Sequence, residues 1–299
     1  MTLDDLRVFV AVCRAGSLSA VARDLSCTQS AVSQHVKRLE RETGVALLER
    51  QARGVVPTQA GRVLEAAAAE GLGGIDLALR RLRDLVDGET GAVRVATGGT
   101  TVRHFMADAV VAFRRLHPRV SLEFRTESSS RGCFDALVGS DLDLAWVTLG
   151  PPVRGIEQRG EVELPWVLAV PADDPLAARP ALEPSALHGL RIIRLPPHST
   201  SAAHLDAACA ELGIRFAADT SVADWDTALL LAELGLGRAV VPAFPGIGDS
   251  GRGLALVELP ALRPLSVGWA VRRWDALSPQ ARAFAETVSA TCRVTSGRG

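Results

Sequence analysis

The sequence predicts a multidomain α+β chain: a small helical unit with a two-stranded wing, one long connecting helix, and a C-terminal α/β unit of two lobes. Three observations carry that reading. Residues 2 to 57 hold short helical stretches broken at Gly16 and Gly44, then an alternating segment around Gly54. Residues 58 to 86 repeat apolar side chains at spacings of three and four. Beyond the Asp87–Gly91 stretch the texture changes to strands alternating with helices.

In the first unit, Leu3, Leu6, Val10 and Cys13 share one helical face, which Phe9 broadens. Gly16 stops that helix. Ser17 offers an N-cap for a second helix, Leu18 to Leu25, and Thr28 caps a third, Gln29 to Glu42, which Gly44 ends. Val32, Val36 and Leu39 face inward on the third helix. Residues 45 to 57 alternate about Arg53-Gly54-Val55-Val56-Pro57, which suits a small wing. In the long helix, Leu64, Ala68, Leu72, Ile75, Leu79, Leu82 and Val86 form a seam of coiled-coil type. Gly71, Gly73 and Gly74 thin that seam, each costing about 1 kcal/mol relative to alanine. A partner helix is the favoured expectation, and packing on its own domain is the alternative. Asp87-Gly88-Glu89-Thr90-Gly91 reads as a hinge.

The C-terminal pattern predicts strands over 92–97, 120–126 and 142–148, with helices over 101–116 and 130–139 between them. A second set follows: strands over 166–170, 191–195 and 239–241, and helices over 201–212 and 226–234. A strand over 265–271 and a helix over 279–292 close the chain.

Composition narrows the function. The 33 basic and 34 acidic side chains nearly cancel, which argues against coating nucleic acid or membranes by charge alone. The first sixty residues carry eight Lys/Arg and six Asp/Glu, a weak excess of +2. Affinity for DNA must then come from charge placement and from pairing two copies. No apolar run is long enough to span a bilayer and the N-terminus has no secretory pattern, so the expected location is the cytoplasm, without membrane attachment. Five scattered cysteines without a C-x-x-C read as buried or inert thiols, and the histidines show no paired ligand spacing, so no metal or cofactor is expected.

The strongest signal runs from Ser17 to Gly61. Leu18-Ser19-Ala20-Val21-Ala22 and Leu25 precede a short break and a polar-sided helix; Ala22 and Ala31 are small where two helices must cross closely. Gln29, Ser30, Ser33, Gln34, Lys37 and Arg38 line the polar side, with the side-chain types that hydrogen-bond base edges or phosphates. The alternative is a small bundle with a solvated polar face. The segment resembles the DNA-binding domain of LysR-type transcriptional regulators. The resemblance rests on Leu3, Phe9, Gly16-Ser17-Leu18-Ser19-Ala20-Val21-Ala22, Leu25, Thr28-Gln29-Ser30-Ala31-Val32-Ser33, Leu39-Glu40, Gly44, Leu47-Leu48-Glu49-Arg50 and Thr58-Gln59-Ala60-Gly61. Two positions depart from it: Leu48 stands where Phe is usual and Pro57 where Leu is common.

The resemblance implies Gln29, Ser30, Ser33 and Gln34 against the major groove of double-stranded DNA, Lys37, Arg38 and Arg50 on phosphates, and Arg53 at the wing tip on the backbone or minor groove. It implies a homodimer or homotetramer paired through residues 58 to 86, a small-molecule effector, and RNA polymerase as a possible further partner. It also implies lobes like those of periplasmic binding proteins. Residues 1–58 would then bind DNA, 59–91 link and dimerise, and 92–295 bind the effector. Lobe I would comprise 92–161 and 266–295, and lobe II 165–262.

Three strand-to-helix corners have the chemistry to line the cleft: Gly98-Gly99-Thr100-Thr101, Glu127-Ser128-Ser129-Ser130 and His198-Ser199-Thr200-Ser201. Each offers hydroxyls and backbone N–H groups at a helix start, which favours an anion such as a carboxylate. Helix capping alone explains each Ser or Thr taken singly. Thr148 ends a strand and Asp224 precedes a helix, making both further candidates. Arg103 and Arg131 are possible sources of positive charge, and Trp146 and Trp225 of an apolar wall. An enzyme on the same lobes has no support: there is no G-x-S-x-G and no phosphate-binding glycine loop with lysine.

Overall fold

The computed structural model describes residues 1–51, 54–87, 91–127, 129–139, 141–247 and 253–296. The chain divides into two compact units, one built on Met1–Leu85 and the other running from Val86 onward.

The first unit begins with α1 (Leu3–Ala15), α2 (Leu18–Asp24) and α3 (Gln29–Thr43). Each starts where a side-chain oxygen can take an orphan N–H: Thr2 accepts from Asp5, Ser17 from Ala20 and Thr28 from Ala31. Gly16 and Gly44 end α1 and α3 in the left-handed conformation. The wing is an antiparallel pair, β1 (Leu48–Gln51) and β2 (Gly54–Pro57), in register Leu48 to Pro57 and Gln51 to Gly54. Gly54 has φ +107°, and a Cβ there would lie 2.2 Å from the Gly16 carbonyl oxygen. Only glycine lets the wing reach the end of α1, where Val55 N–H donates to Gly16 O at 2.9 Å. The long helix α4 (Gln59–Asp87) starts after Thr58, whose Oγ1 accepts from Gly61 N–H at 3.0 Å. Leu48 packs half-buried against two apolar clusters, one around Val12 and Val32 and one around Phe9, Leu39 and Leu47.

The α4 seam divides into two halves. Ala68 and Leu72 are buried with Val10 of α1, and Leu64 packs beside Phe9. Arg7 of α1 meets Asp76 of α4 at 2.9 Å. Ile75, Leu79 and Leu82 are 38%, 48% and 58% exposed. Packing on its own domain therefore covers the first half of the seam and leaves the second half open. The Val86 side chain and hinge residues 88–90 lie outside the described residues.

The second unit holds two five-stranded mixed sheets. In chain order its elements are β3 (Gly91–Thr97), α5 (Gly99–Thr101), a π-helical turn Val102–Met106, α6 (Ala107–Leu116), β4 (Val120–Thr126), α7 (Ser130–Val138), β5 (Leu144–Thr148) and β6 (Glu157–Leu164). Then come β7 (Trp166–Pro171), α8 (Pro184–Leu187), β8 (Arg191–Arg194), α9 (Thr200–Glu211), β9 (Ala217–Ser221), α10 (Trp225–Glu233) and β10 (Arg238–Pro242). β11 (Leu254–Glu258), β12 (Leu265–Val271), a short 3-10 turn Trp274–Ala276 and α11 (Pro279–Ser296) complete the chain. One sheet has the order β4-β3-β5-β12-β6, the other β11-β7-β10-β8-β9. The chain passes from the first sheet to the second at Pro165 and returns between β11 and β12. These two connections are tied together, because Trp166 Nε1–H donates to the Arg263 carbonyl at 3.0 Å.

Three strands depart from the sequence reading: β6, β9 and β11 were expected as connecting chain. All three are sheet edges. β6 reads Glu-Gln-Arg-Gly-Glu-Val-Glu-Leu, β9 reads Ala-Ala-Asp-Thr-Ser, and β11 is only five residues long. Edge strands have a partner on one side only and are kept short or charged: β6 and β9 lack the apolar run that marks a central strand, and the run of β11, Leu-Ala-Leu-Val, is only four residues long.

Candidate nucleic-acid interface and effector cleft

In the first unit, α2 and α3 cross over Val21, Ala22 and Val32, all buried. That crossing fixes α3 and turns its other side outward. Gln29, Ser30, Gln34 and Lys37 are exposed and Ser33 is half-buried. Two of these are already oriented. Gln29 Oε1 accepts from Ser19 Oγ at 3.2 Å, and Ser30 Oγ lies 2.9 Å from Thr28 Oγ1. Arg50 is exposed on β1, and Arg53, between the two wing strands, lies outside the described residues.

Arg38 departs from this group. Its Nη1 lies 3.1 Å from Oδ1 of Asp5, whose side chain is fully buried in α1. The same Oδ1 accepts from His35 Nδ1–H at 2.8 Å, and Oδ2 accepts from Thr2 N–H at 2.8 Å. Burial alone would push the Asp5 carboxyl up. The hydrogen bonds from His35 and Thr2, with the Arg38 charge, outweigh that and hold it below its ordinary value. Nothing in the local pattern of α1 marks Asp5 as a partner of α3, because its contacts there lie thirty or more residues away.

In the second unit, a cavity of about 300 Å³ lies between the two sheets' strand ends. Of the expected lining residues, Thr100, Thr101, Ser129, Thr148, Ser199, Thr200 and Asp224 all face it. Ser128 lies outside the described residues. His198 is a correction: it is exposed and does not line the cavity, because the turn before α9 points it outward. Ser199 and Ala202 explain the turn, since the Ser199 side chain caps α9 and is buried. Trp146 and Trp225 are both buried and both form walls, joined by Phe105 and Phe244, which sequence reasoning missed. Phe105 comes from the π-helical turn, where the extra residue per turn rotates the following side chains.

Among the described residues, no arginine or lysine lines the cavity; Arg103 and Arg131 are both exposed elsewhere. Two carboxylates do line it. Glu127 pairs with Arg125 at 2.8 Å, and Asp224 caps α10 by accepting from Thr227 N–H at 2.8 Å. Ser130 N–H donates across the cleft to Thr200 Oγ1 at 2.9 Å, while Ser130 Oγ donates to Thr148 O at 2.9 Å. The buried Thr100 hydroxyl has no hydrogen-bond partner among the described residues. Beside the cavity, His104 of the π-helical turn reaches the other lobe twice: Nε2 lies 2.9 Å from Asp226 Oδ1 and Nδ1 3.1 Å from Pro245 O.

The family models match the two units separately. The one for the bacterial regulatory helix-turn-helix protein of the lysR family covers residues 3–62, and the LysR substrate binding domain covers residues 87–293. The chain belongs to the LysR family. It is a transcription regulator with a DNA-binding helix-turn-helix and an effector-binding domain. Among its relatives, the HTH-type transcriptional regulator AlsR of Bacillus subtilis (strain 168) is 30% identical over 251 residues, 81% of each chain. YbhD of Escherichia coli (strain K12), an HTH-type transcriptional regulator, is 29% identical over 94% of this chain and 89% of its own. A full-length OxyR variant from Pseudomonas aeruginosa superposes with TM-score 0.66 at 21% identity, covering 99% of this chain and 96% of that one. Full-length CbnR complexed with its target DNA gives TM-score 0.56 at 22% identity, covering 98% and 100%. At those identities the solved structures share the fold.

Among the described residues, no LysR-family site here groups side chains to hold a metal ion, and no helix is long and apolar enough to cross a membrane. The thiols of this LysR-family chain include three buried ones. Burial, with the Glu127 charge, pushes Cys133 up to about 12; burial, with the Asp206 charge, pushes Cys209 up to about 11. A thiol so far above neutrality is a poor nucleophile, which fits a packing role.

Proposed function

We propose that this regulator binds double-stranded DNA through α3 and responds to a small effector held between its two lobes. Gln29, Ser30, Ser33 and Gln34 read base edges in the major groove, Lys37 and Arg50 meet phosphates, and Arg53 reaches the backbone beside them. The observation that carries this reading is the exposed row Gln29, Ser30, Gln34 and Lys37 on a helix whose opposite side is locked into the core. That CbnR has been solved with its target DNA supports duplex DNA as the partner here. Two copies pair through the open half of the α4 seam, so that two recognition helices meet a two-fold-related site. The protein acts in the cytoplasm, where RNA polymerase is a further partner, and it carries no catalytic activity.

The effector is small, with an apolar body between the aromatic walls. Its anionic head is limited to a single charge. Hydroxyls and helix-start N–H groups can hold one carboxylate, but with no cation among the described lining residues and two carboxylates present, a second negative charge is unfavourable. Anisotropy with the DNA upstream of the protein's own gene tests the first part. Gln29→Glu with Ser33→Glu in a folded sample abolishes binding, and unchanged affinity and sequence preference would show the reading wrong. A thermal-shift series tests the second part: benzoate stabilises, benzyl alcohol does so less, and phthalate does not. A ligand at a hundred times its dissociation constant adds about 2.7 kcal/mol. Equal stabilisation by phthalate would contradict the single-charge limit.

A further inference from the structure

We infer that Asp5 is a positioning residue for DNA binding: its buried carboxylate holds α3 through His35 and Arg38, and so keeps Arg38 out of the phosphate contacts. The inference rests on the reading of α3 as the groove-binding helix.

Asp5 sits on α1 with its side chain fully buried. Its Oδ1 is shared by His35 Nδ1 at 2.8 Å and Arg38 Nη1 at 3.1 Å, while Oδ2 takes Thr2 N–H at 2.8 Å. His35 and Arg38 are three residues apart and so lie on one face of α3, the face turned toward α1. Gln34 and Lys37, each one position earlier, are exposed on the next face round. A carboxylate removed from water must have its charge offset where it lies. Were Arg38 to swing out to a phosphate, Asp5 would keep its charge inside with hydrogen bonds from His35 and Thr2 alone. A phosphate contact in salt solution is screened and returns less than that loss. The lowered carboxyl of Asp5 keeps the network ionised at neutral pH. Arg38 thus has the composition of a phosphate contact and the geometry of a strut. Turning α3 about its axis would break both bonds together, so the pair also fixes which side chains face outward.

The salt dependence of binding separates a strut from a contact. Each cation that neutralises a phosphate contributes about 0.9 to the slope of log affinity against log salt. Full-length wild type, Lys37→Gln, Arg38→Gln and Asp5→Asn are titrated against a fluorescent mixed-sequence duplex about two helical turns long. Lys37→Gln is expected to lose about 0.9 of slope per protomer, whereas Arg38→Gln keeps the wild-type slope and loses affinity severalfold at every salt concentration. A slope loss in Arg38→Gln equal to that in Lys37→Gln overturns the inference. If Arg38→Gln does not fold, Asp5→Asn decides, because it frees Arg38 and steepens the slope; a slope equal to wild type overturns the inference. Absence of any salt-dependent binding by the wild type removes the DNA reading itself, which none of the variant comparisons can mimic.

Discussion

Replacing His104 by alanine cuts the main polar tie between the lobes beside the cavity. The ring makes three contacts with the second lobe: Asp226 Oδ1 at 2.9 Å, Pro245 O at 3.1 Å, and the Phe244 ring at 4.3 Å between centroids. Both polar partners are acceptors and a neutral ring donates only once, so one bond is counted: that to Asp226, which has a charged partner and is worth about 1.5–3 kcal/mol. The ring contact adds about 0.5–1.5 kcal/mol. His104 is 13% exposed and Asp226 29%, so water screens the bond and the lower ends apply. Together those lower ends come to about 2 kcal/mol. For a unit of this size, that lowers Tm by about 4–8 °C. Calorimetry of full-length His104→Ala, Asp226→Ala and the double variant gives the coupling directly. Asp226 also lies in the first turn of α10, where a carboxylate is favoured by the helix dipole, and the cycle cancels that contribution. A coupling of at least about 1 kcal/mol is expected; one below about 0.5 kcal/mol, the range of independent sites, refutes the reasoning.

Two further outcomes follow from the first unit. Ile75→Asp with Leu82→Asp puts charges on the exposed half of the α4 seam and is expected to yield monomers in sedimentation velocity, where wild type sediments as a dimer or larger. Asp5→Asn is expected to lower stability at neutral pH, with the deficit shrinking on acidification. The sign follows from linkage: a carboxyl lowered in the folded state stabilises above its unfolded value, about 3.9, and loses that contribution as pH falls through the folded value. Chemical denaturation of both proteins between neutral pH and the carboxylate range checks it, and a deficit that grows toward acid contradicts it.

What the sequence made legible was local. Ser17, Thr28, Gly16 and Gly44 mark helix ends because capping is decided within a few residues of the chain, and each acts as a cap in the structure. The central strands β3, β5, β7 and β12 announce themselves because both faces are buried. Of the edge strands, β4 was legible, but β6, β9 and β11 were not, since charge and brevity suit an edge and also suit a loop. The seam of α4 read as one surface although two environments share it. Periodicity reports which side is apolar and not what covers it. In the cleft, Thr100, Thr148 and Thr200 were legible because strand ends and helix starts carry their own chemistry. Phe105 and Phe244 were not singled out as walls, since only the meeting of distant segments makes them so. Arg38 shows the same limit from the other direction: its residue type and place on α3 suggest a phosphate, and the sequence does not show that it also pairs with the Asp5 carboxylate of another helix.

In the proposed effector cleft, competition for the polar groups bears on how a ligand would shift the lobes. Ser130 N–H is spent on Thr200 Oγ1 across the cleft, so a ligand head that takes that N–H must break a bond between the lobes, while the Thr200 O–H can still donate. The Thr100 hydroxyl is buried and, among the described residues, unpartnered, so a head bonded there gains an interaction and breaks none. An effector moves a conformational balance only through such a difference between states. Thr100→Val tests this with opposite signs in one experiment. Valine has the same shape and removes a buried hydroxyl whose lack of a partner costs about 1–3 kcal/mol, so the ligand-free variant should melt higher than wild type. The added stabilisation by benzoate should fall in the same variant, since the head loses its acceptor or donor. A ligand-free Thr100→Val that melts lower, or a benzoate response equal to wild type, would show that the hydroxyl is not held in reserve for a ligand.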